Sequence, residues 1–250
     1  PPGGGPIAAL RKADPLPDPP PFRGREFPLH HLHQGGLHEL KPEAYRDTPA
    51  ALGFALSVIA ELTGQAKCRG LVLWCLTQAT ARDLGRPYGP GLASAGLDPS
   101  RLLIVEARTE DDAAWALEEG LKSGALLAAL AGTRIRTPLA ARRLGLAAQA
   151  SRTPCLLLSG HRGAGLPGTL THWRIAAAPS APAPFDRSAL GAACWRLTLE
   201  RCRGAAPGQS FRVEFSEFSH ESDRLRVAAA SCDRAVEAGK SGAGRRINIG

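Results

Sequence analysis

Apolar residues in this chain fall in short runs, with stretches of helical period between them. Residues 36–40 form the first run and read as a strand. Residues 49–62 follow as an alanine-rich helix, with Thr48 placed to cap it and Pro49 in its first turn. Leu71-Val72-Leu73-Trp74-Cys75-Leu76 is apolar without a break, the pattern of a strand covered on both faces. Residues 102–105, 125–131 and 154–159 repeat it. Two more helices lie between these runs. One is capped by Thr109, carries Asp111 and Asp112 in its first turn and stops at Gly124. The other opens at Thr137-Pro138 and runs to about Ala150. Strands alternating with helices predict a parallel sheet with helices on both faces.

The rhythm then changes. Residues 172–177, 195–201 and 211–215 are strand-like, with alternation and no helix between them; Pro179-Ser180-Ala181-Pro182 and Ala206-Pro207-Gly208 supply turns. The expected architecture is an α/β core of mostly parallel strands, extended at one edge by C-terminal antiparallel strands. Residues 1–28 are a Pro/Gly-rich lead that cannot form a helix or a central strand, and read as flexible. Residues 29–218 form the domain. Residues 219–250 read as a flexible polar tail with a short helix near 225–236.

Composition changes this picture little. Of 250 residues 44% are hydrophobic but only 5% aromatic, so the core is built from Leu, Ala, Val and Ile. There is no Met, so Pro1 is read as other than a native start. The net charge of +8 invites a nucleic-acid reading. However, the arginines are scattered, and they rise together with Ala, Gly and Pro, as a GC-rich coding sequence would give whatever the function. Six cysteines contain no Cys-x-x-Cys pair, which argues against a zinc ribbon. With no signal-peptide pattern and no apolar run long enough to cross a bilayer, a cytoplasmic protein is expected.

Strand, loop and helix over residues 36–62 is the frame of a P-loop, without its chemistry. A P-loop needs glycines whose N–H groups surround phosphates, a Lys for the outer phosphates and a Ser or Thr for magnesium. Lys41-Pro42-Glu43-Ala44-Tyr45-Arg46-Asp47-Thr48 has no glycine and no Gly-Lys-Ser/Thr ending, and Glu43 and Asp47 repel phosphate. The loop is read as a degenerate P-loop with no bound cofactor. Gly239-Lys240-Ser241 imitates a P-loop ending, but no strand precedes it and Arg234 stands where the leading glycine belongs.

With that degenerate loop in first position, the order of elements resembles the RecA-like ATPase core. More narrowly it resembles the ImuA family of damage-inducible mutagenesis proteins. The stretches that carry the match are Gly36-Leu37-His38-Glu39-Leu40, Gly85-Arg86-Pro87-Tyr88-Gly89-Pro90-Gly91-Leu92 and Gly96-Leu97-Asp98-Pro99-Ser100-Arg101-Leu102-Leu103, together with residues 115–121, 177–182 and 195–204. It spans about residues 30–216. The resemblance implies an accessory protein of error-prone lesion bypass in the SOS response. Its implied partners are ImuB, an inactive relative of Y-family polymerases, an error-prone C-family DNA polymerase, and RecA, with a place near the nucleoid. The family is related to the cell-division inhibitor SulA, so an inhibitor of a cytoskeletal division GTPase is the alternative. A divergent ATPase binding single-stranded DNA is a third. Against catalysis, the strand 71–76 leads into Thr77-Gln78-Ala79, where RecA-like ATPases carry a water-activating Glu. Residues 130–133, Leu-Ala-Gly-Thr, lack the magnesium-binding Asp. No enzymatic activity is expected.

Other residues are candidates for contact with a partner or, weakly, with DNA. His161-Arg162-Gly163-Ala164-Gly165-Leu166-Pro167-Gly168 follows the fourth core strand, where RecA relatives place a DNA-contacting loop; it is read either so or as a plain flexible connection. Arg86 and Tyr88 sit in a Gly-punctuated loop that is either a ligand loop or a rigid turn. Trp195 on a strand expected at the sheet edge is an interface anchor or a core residue. His30, His31, His33 and His38 lack the closed ligand set of a metal site and read as solvated, with His31 and His33 alternating as on a strand.

Overall fold

A strand apolar on both faces must be covered on both, and the computed structural model arranges the runs 71–76, 125–131 and 154–159 in that way; the run 102–105 is the exception, lying at the sheet edge with Leu103 and Ile104 exposed. The structure describes residues 28–64, 70–181, 191–202, 207–215 and 225–232. Six strands run parallel: β1 (Gly36–Pro42), β2 (Leu71–Thr77), β3 (Leu102–Ala107), β4 (Leu126–Gly132), β5 (Pro154–Leu158) and β6 (Thr171–Ala177). β7 (Cys194–Cys202), β8 (Gln209–Phe215) and β9 (Leu225–Cys232) continue the sheet antiparallel from β6. The spatial order is β3-β2-β4-β5-β1-β6-β7-β8-β9.

Alternate residues of the central strands enter different clusters. Val72, Trp74 and Leu76 of β2 face one side with the helix α1 (Thr48–Gly64). Leu73 and Cys75 face the other, with α4 (Glu110–Lys122) and α5 (Pro138–Ala150). Two short helices, α2 (Gln78–Leu84) and α3 (Gly89–Ser94), follow β2. The antiparallel strands behave differently. Trp195, Leu197 and Leu199 of β7 with Phe211, Val213 and Phe215 of β8 all join the α1-side cluster. One apolar face is enough for an antiparallel extension, and it explains the alternation.

Local chemistry sets the helix starts. Thr109 Oγ1 accepts the Asp112 N–H, with Glu110, Asp111 and Asp112 completing an acidic first turn; Thr137 Oγ1 accepts the Ala140 N–H. Gly124, at φ 64°, takes the left-handed turn out of α4.

Several expectations differ from the structure. Thr48 does not cap α1. A single 3₁₀ turn, Tyr45–Asp47, runs straight into the helix, so Thr48 already has helical torsions and its hydroxyl donates to the Tyr45 carbonyl at 2.6 Å. His31 and His33 belong to a 3₁₀ turn, Pro28–His33, not a strand. The segment predicted as a helix near 225 is β9, because β8 offers it an unpaired edge. The antiparallel ladder runs from Gln209 opposite Cys232 to Phe215 opposite Leu225. Residues 1–27, the Gly239-Lys240-Ser241 stretch and the rest of the tail lie outside the described residues. Among those described, no helix is long and apolar enough to cross a membrane.

Candidate functional site

In an open parallel sheet the strand C-termini are the usual place for a ligand. Here the ends of β1, β2, β4 and β5 enclose a cleft of about 630 Å³, lined by Tyr45, Thr48, Thr77, Thr80, Asp83, Thr133, Arg134, Arg136, Ser159, His161 and Arg162 among others.

The loop between β1 and α1 forms one wall, and Lys41, Asp47 and its backbone amides are committed inward. Asp47 is 7% exposed; one carboxylate oxygen accepts the Ala44 N–H at 3.1 Å and the other the Ala177 N–H at 3.2 Å. The Glu43 N–H donates to the Ile175 carbonyl, and the Asp47 N–H to that of Ala44. Backbone amides that a phosphate would need therefore already have acceptors within the chain. Lys41 is buried, and its Nζ donates to the Gly163 carbonyl. The Glu43 carboxylate pairs with Arg196 of β7 at 2.5 Å. Tyr45 stays on the surface: its hydroxyl donates to Asp83 at 2.6 Å, and its ring meets His161 edge-on at 6.1 Å. Arg46 is exposed.

The second wall joins β2 to β4. Thr77 Oγ1 caps α2 by accepting the Thr80 N–H, and the Thr80 hydroxyl donates to the Gly132 carbonyl at 2.8 Å. These contacts are neutral, and neither strand ends on a carboxylate.

The loop 159–170 forms the third wall, and it is not a slack connection. Besides Lys41, it is held by Glu39, whose carboxylate accepts the Leu166 N–H at 2.7 Å. His172 Nε2 and Arg201 Nη2 both donate to the Leu166 carbonyl, at 2.9 and 3.1 Å. Glu39 and His172 are 2% and 5% exposed and face each other at 3.1 Å. Burial pushes the His172 pKa down, while the Glu39 carboxylate pulls it back up. Neither residue was singled out as a site residue from sequence. The available signal was a carboxylate, Glu39, within a strand otherwise expected to be buried.

The structure gathers Tyr45, Thr48, His161 and Arg162 around this cleft and separates the other candidates from it. Arg86 makes a two-pronged pair with Glu106 of β3 at 2.8 and 2.9 Å. Tyr88 is 71% exposed. Both border a second, apolar pocket of about 240 Å³ that shares Thr80, Leu84, Gly132 and Leu158 with the cleft. Trp195 is not an anchor on an edge: β7 lies between β6 and β8, and the indole packs against Phe54 at 5.6 Å, sealed in the core.

His31 and His38 are buried, against the solvated reading of the histidines. His38 is fully buried in β1, with Nδ1 2.9 Å from Thr171 Oγ1 and Nε2 3.0 Å from the Gln34 carbonyl. The Trp173 indole N–H donates to the same Thr171 oxygen. A neutral ring satisfies this chain of bonds, and burial holds the His38 pKa down to about 4. Among the described residues no group of three or more His, Cys, Asp or Glu is placed to hold a metal.

No family model matches the chain. It is 33% identical over 228 residues to Protein ImuA of Caulobacter vibrioides, in strain NA1000 and in strain ATCC 19089, covering 86% of this chain and 89% of the relative. Of solved structures, SulA from Pseudomonas aeruginosa aligns with a TM-score of 0.40 at 20% identity, over 50% of this chain and 97% of that one. Identity at that level over most of both sequences places this chain in the ImuA family.

Proposed function

We propose that this chain is a non-catalytic adaptor with a RecA-like architecture, serving damage-induced, error-prone DNA synthesis through protein contacts. Membership of the ImuA family supports an accessory role in damage-induced mutagenesis. The partners that the family resemblance implies are an ImuB-like inactive polymerase relative, an error-prone C-family polymerase and RecA.

The observation that carries the non-catalytic part is the inward commitment of the first loop. Its amides at 43, 44 and 47 are bonded to the chain's own oxygens, and Lys41 is turned to Gly163. A triphosphate would have to displace the Asp47 carboxylate from two N–H groups and approach Glu43. Each unmade contact to transferred phosphate costs orders of magnitude in rate.

Titration of the full chain with magnesium ATP tests this. No saturable binding in the micromolar range and no phosphate release are expected; saturable binding with turnover would overturn the reading. Affinity capture of the tagged chain from damaged cells tests the adaptor part. Recovery of the polymerase-related proteins is expected, and recovery of a division GTPase in their place would refute it.

A further inference from the structure

We propose that the cleft and the apolar pocket beside it form one docking site, and that its occupant is an acidic segment of a partner protein carrying a bulky apolar side chain. The proposal rests on the adaptor reading and gives it a surface.

Charge selects the acidic half. Arg134, Arg136 and Arg162 are exposed at the cleft wall. Among the described residues, Arg134 and Arg162 have no ion pair, and Arg136 reaches Glu110 only at 3.8 Å. The other carboxylates lining the cleft are engaged: Glu39 by His172 and the Leu166 N–H, Asp83 by the Tyr45 hydroxyl. The arginines are thus the groups left to meet an anion, and guanidinium suits carboxylate geometry. Two hydroxyls in the lining, Thr133 Oγ1 and Ser159 Oγ, are buried without a hydrogen-bond partner. Buried polar atoms are rarely left so, and each is a donor available to an incoming oxygen.

The adjoining pocket selects a peptide over a nucleic acid. It is walled by Leu52, Leu56, Trp74 and Leu92, and at about 240 Å³ it admits a Leu or Phe side chain. A nucleobase has polar edges that need partners. Of the pocket's two hydroxyls, that of Thr80 already donates to Gly132 and that of Tyr88 belongs to a mostly exposed residue, while Arg86 at the rim is held by Glu106. An acidic residue at the arginines with an apolar neighbour in the pocket satisfies both halves.

Selection of phage-displayed random peptides on the full chain tests this. Enriched peptides are expected to pair Asp or Glu with Leu, Phe or a similar side chain. Their affinity is expected to fall roughly tenfold or more in Arg134→Glu with Arg162→Glu, as for loss of an interface hot spot. It should fall likewise in Ala95→Phe, which fills the pocket from its rim, while thermal melts of both variants stay unchanged. No enrichment, enrichment without the acidic-apolar pairing, or affinity indifferent to both variants overturns the proposal. So does oligothymidylate binding that the arginine reversal abolishes and that acidic peptides cannot compete. If the proposal fails while the intact chain still captures polymerase-related proteins, the adaptor reading stands and its surface lies elsewhere. Turnover of magnesium ATP would instead remove the adaptor reading itself.

Discussion

Glu39 of β1 and His172 of β6 are register partners in adjacent parallel strands, with carboxylate and ring 3.1 Å apart and nearly sealed from water. Both also hold Leu166, one through its N–H and the other through its carbonyl. The pair is therefore the clamp between the sheet and the loop 159–170, which walls the cleft. Removing one member leaves the other buried without its counterpart. Glu39→Ala and His172→Ala are each expected to destabilise the fold by about 3 kcal/mol. The double variant should cost clearly less than the sum, because the contact is lost only once. Urea unfolding of the four proteins checks this; strict additivity would show that the pair is not coupled.

His38 gives the fold an acid limb. Its pKa lies below the ordinary 6.5, at about 4, so the unfolded chain binds a proton that the folded chain refuses. That stability is fully present above pH 6.5 and is lost as the pH falls from there through about 4. The loss amounts to about 3 kcal/mol at roughly 1.4 kcal/mol per unit. Other groups titrate in the same range, so the measurement is a difference. Unfolding free energy against pH for the parent and for His38→Gln should converge toward pH 4. Parallel curves would count against the assignment.

Asp47 stabilises the loop between β1 and α1. Asp47→Ala removes the two hydrogen bonds that the buried carboxylate accepts from the Ala44 and Ala177 N–H groups, and is expected to cost about 1–3 kcal/mol. Asp47→Asn keeps the shape and one acceptor and should cost less. If chemical denaturation finds Asp47→Ala neutral, the two bonds do not contribute.

Cys75 and Cys155 are buried, free thiols whose pKa burial pushes up to about 12. The thiolate is the reactive form, so both should resist alkylation by iodoacetamide at pH 8. Half-buried Cys202 should label earlier. Peptide mapping by mass spectrometry before and after denaturation reads the order; early labelling of Cys155 would contradict the sealed site.

The succession of core strands and capped helices was legible along the chain because its causes are local. An unbroken apolar run such as residues 71–76 is covered on both faces, although tertiary structure left the run 102–105 at the edge with Leu103 and Ile104 exposed. Thr109 and Thr137 cap the helices that follow them by contacts a few residues long. The missing glycines between Lys41 and Thr48 were equally plain. Tertiary structure alone decided what replaced them: Asp47 reaches Ala177 across 130 residues, and Lys41 reaches Gly163 across 122. It decided that residues 225–232 are a strand, since the unpaired edge of β8 outweighs a weak helical preference. It also put Arg134, Arg136 and Arg162 on one cleft, and Glu39 beside His172. Sequence pattern specifies which face of an element is apolar, but pairing and register come from contacts between distant segments, and no short stretch of the chain encodes them.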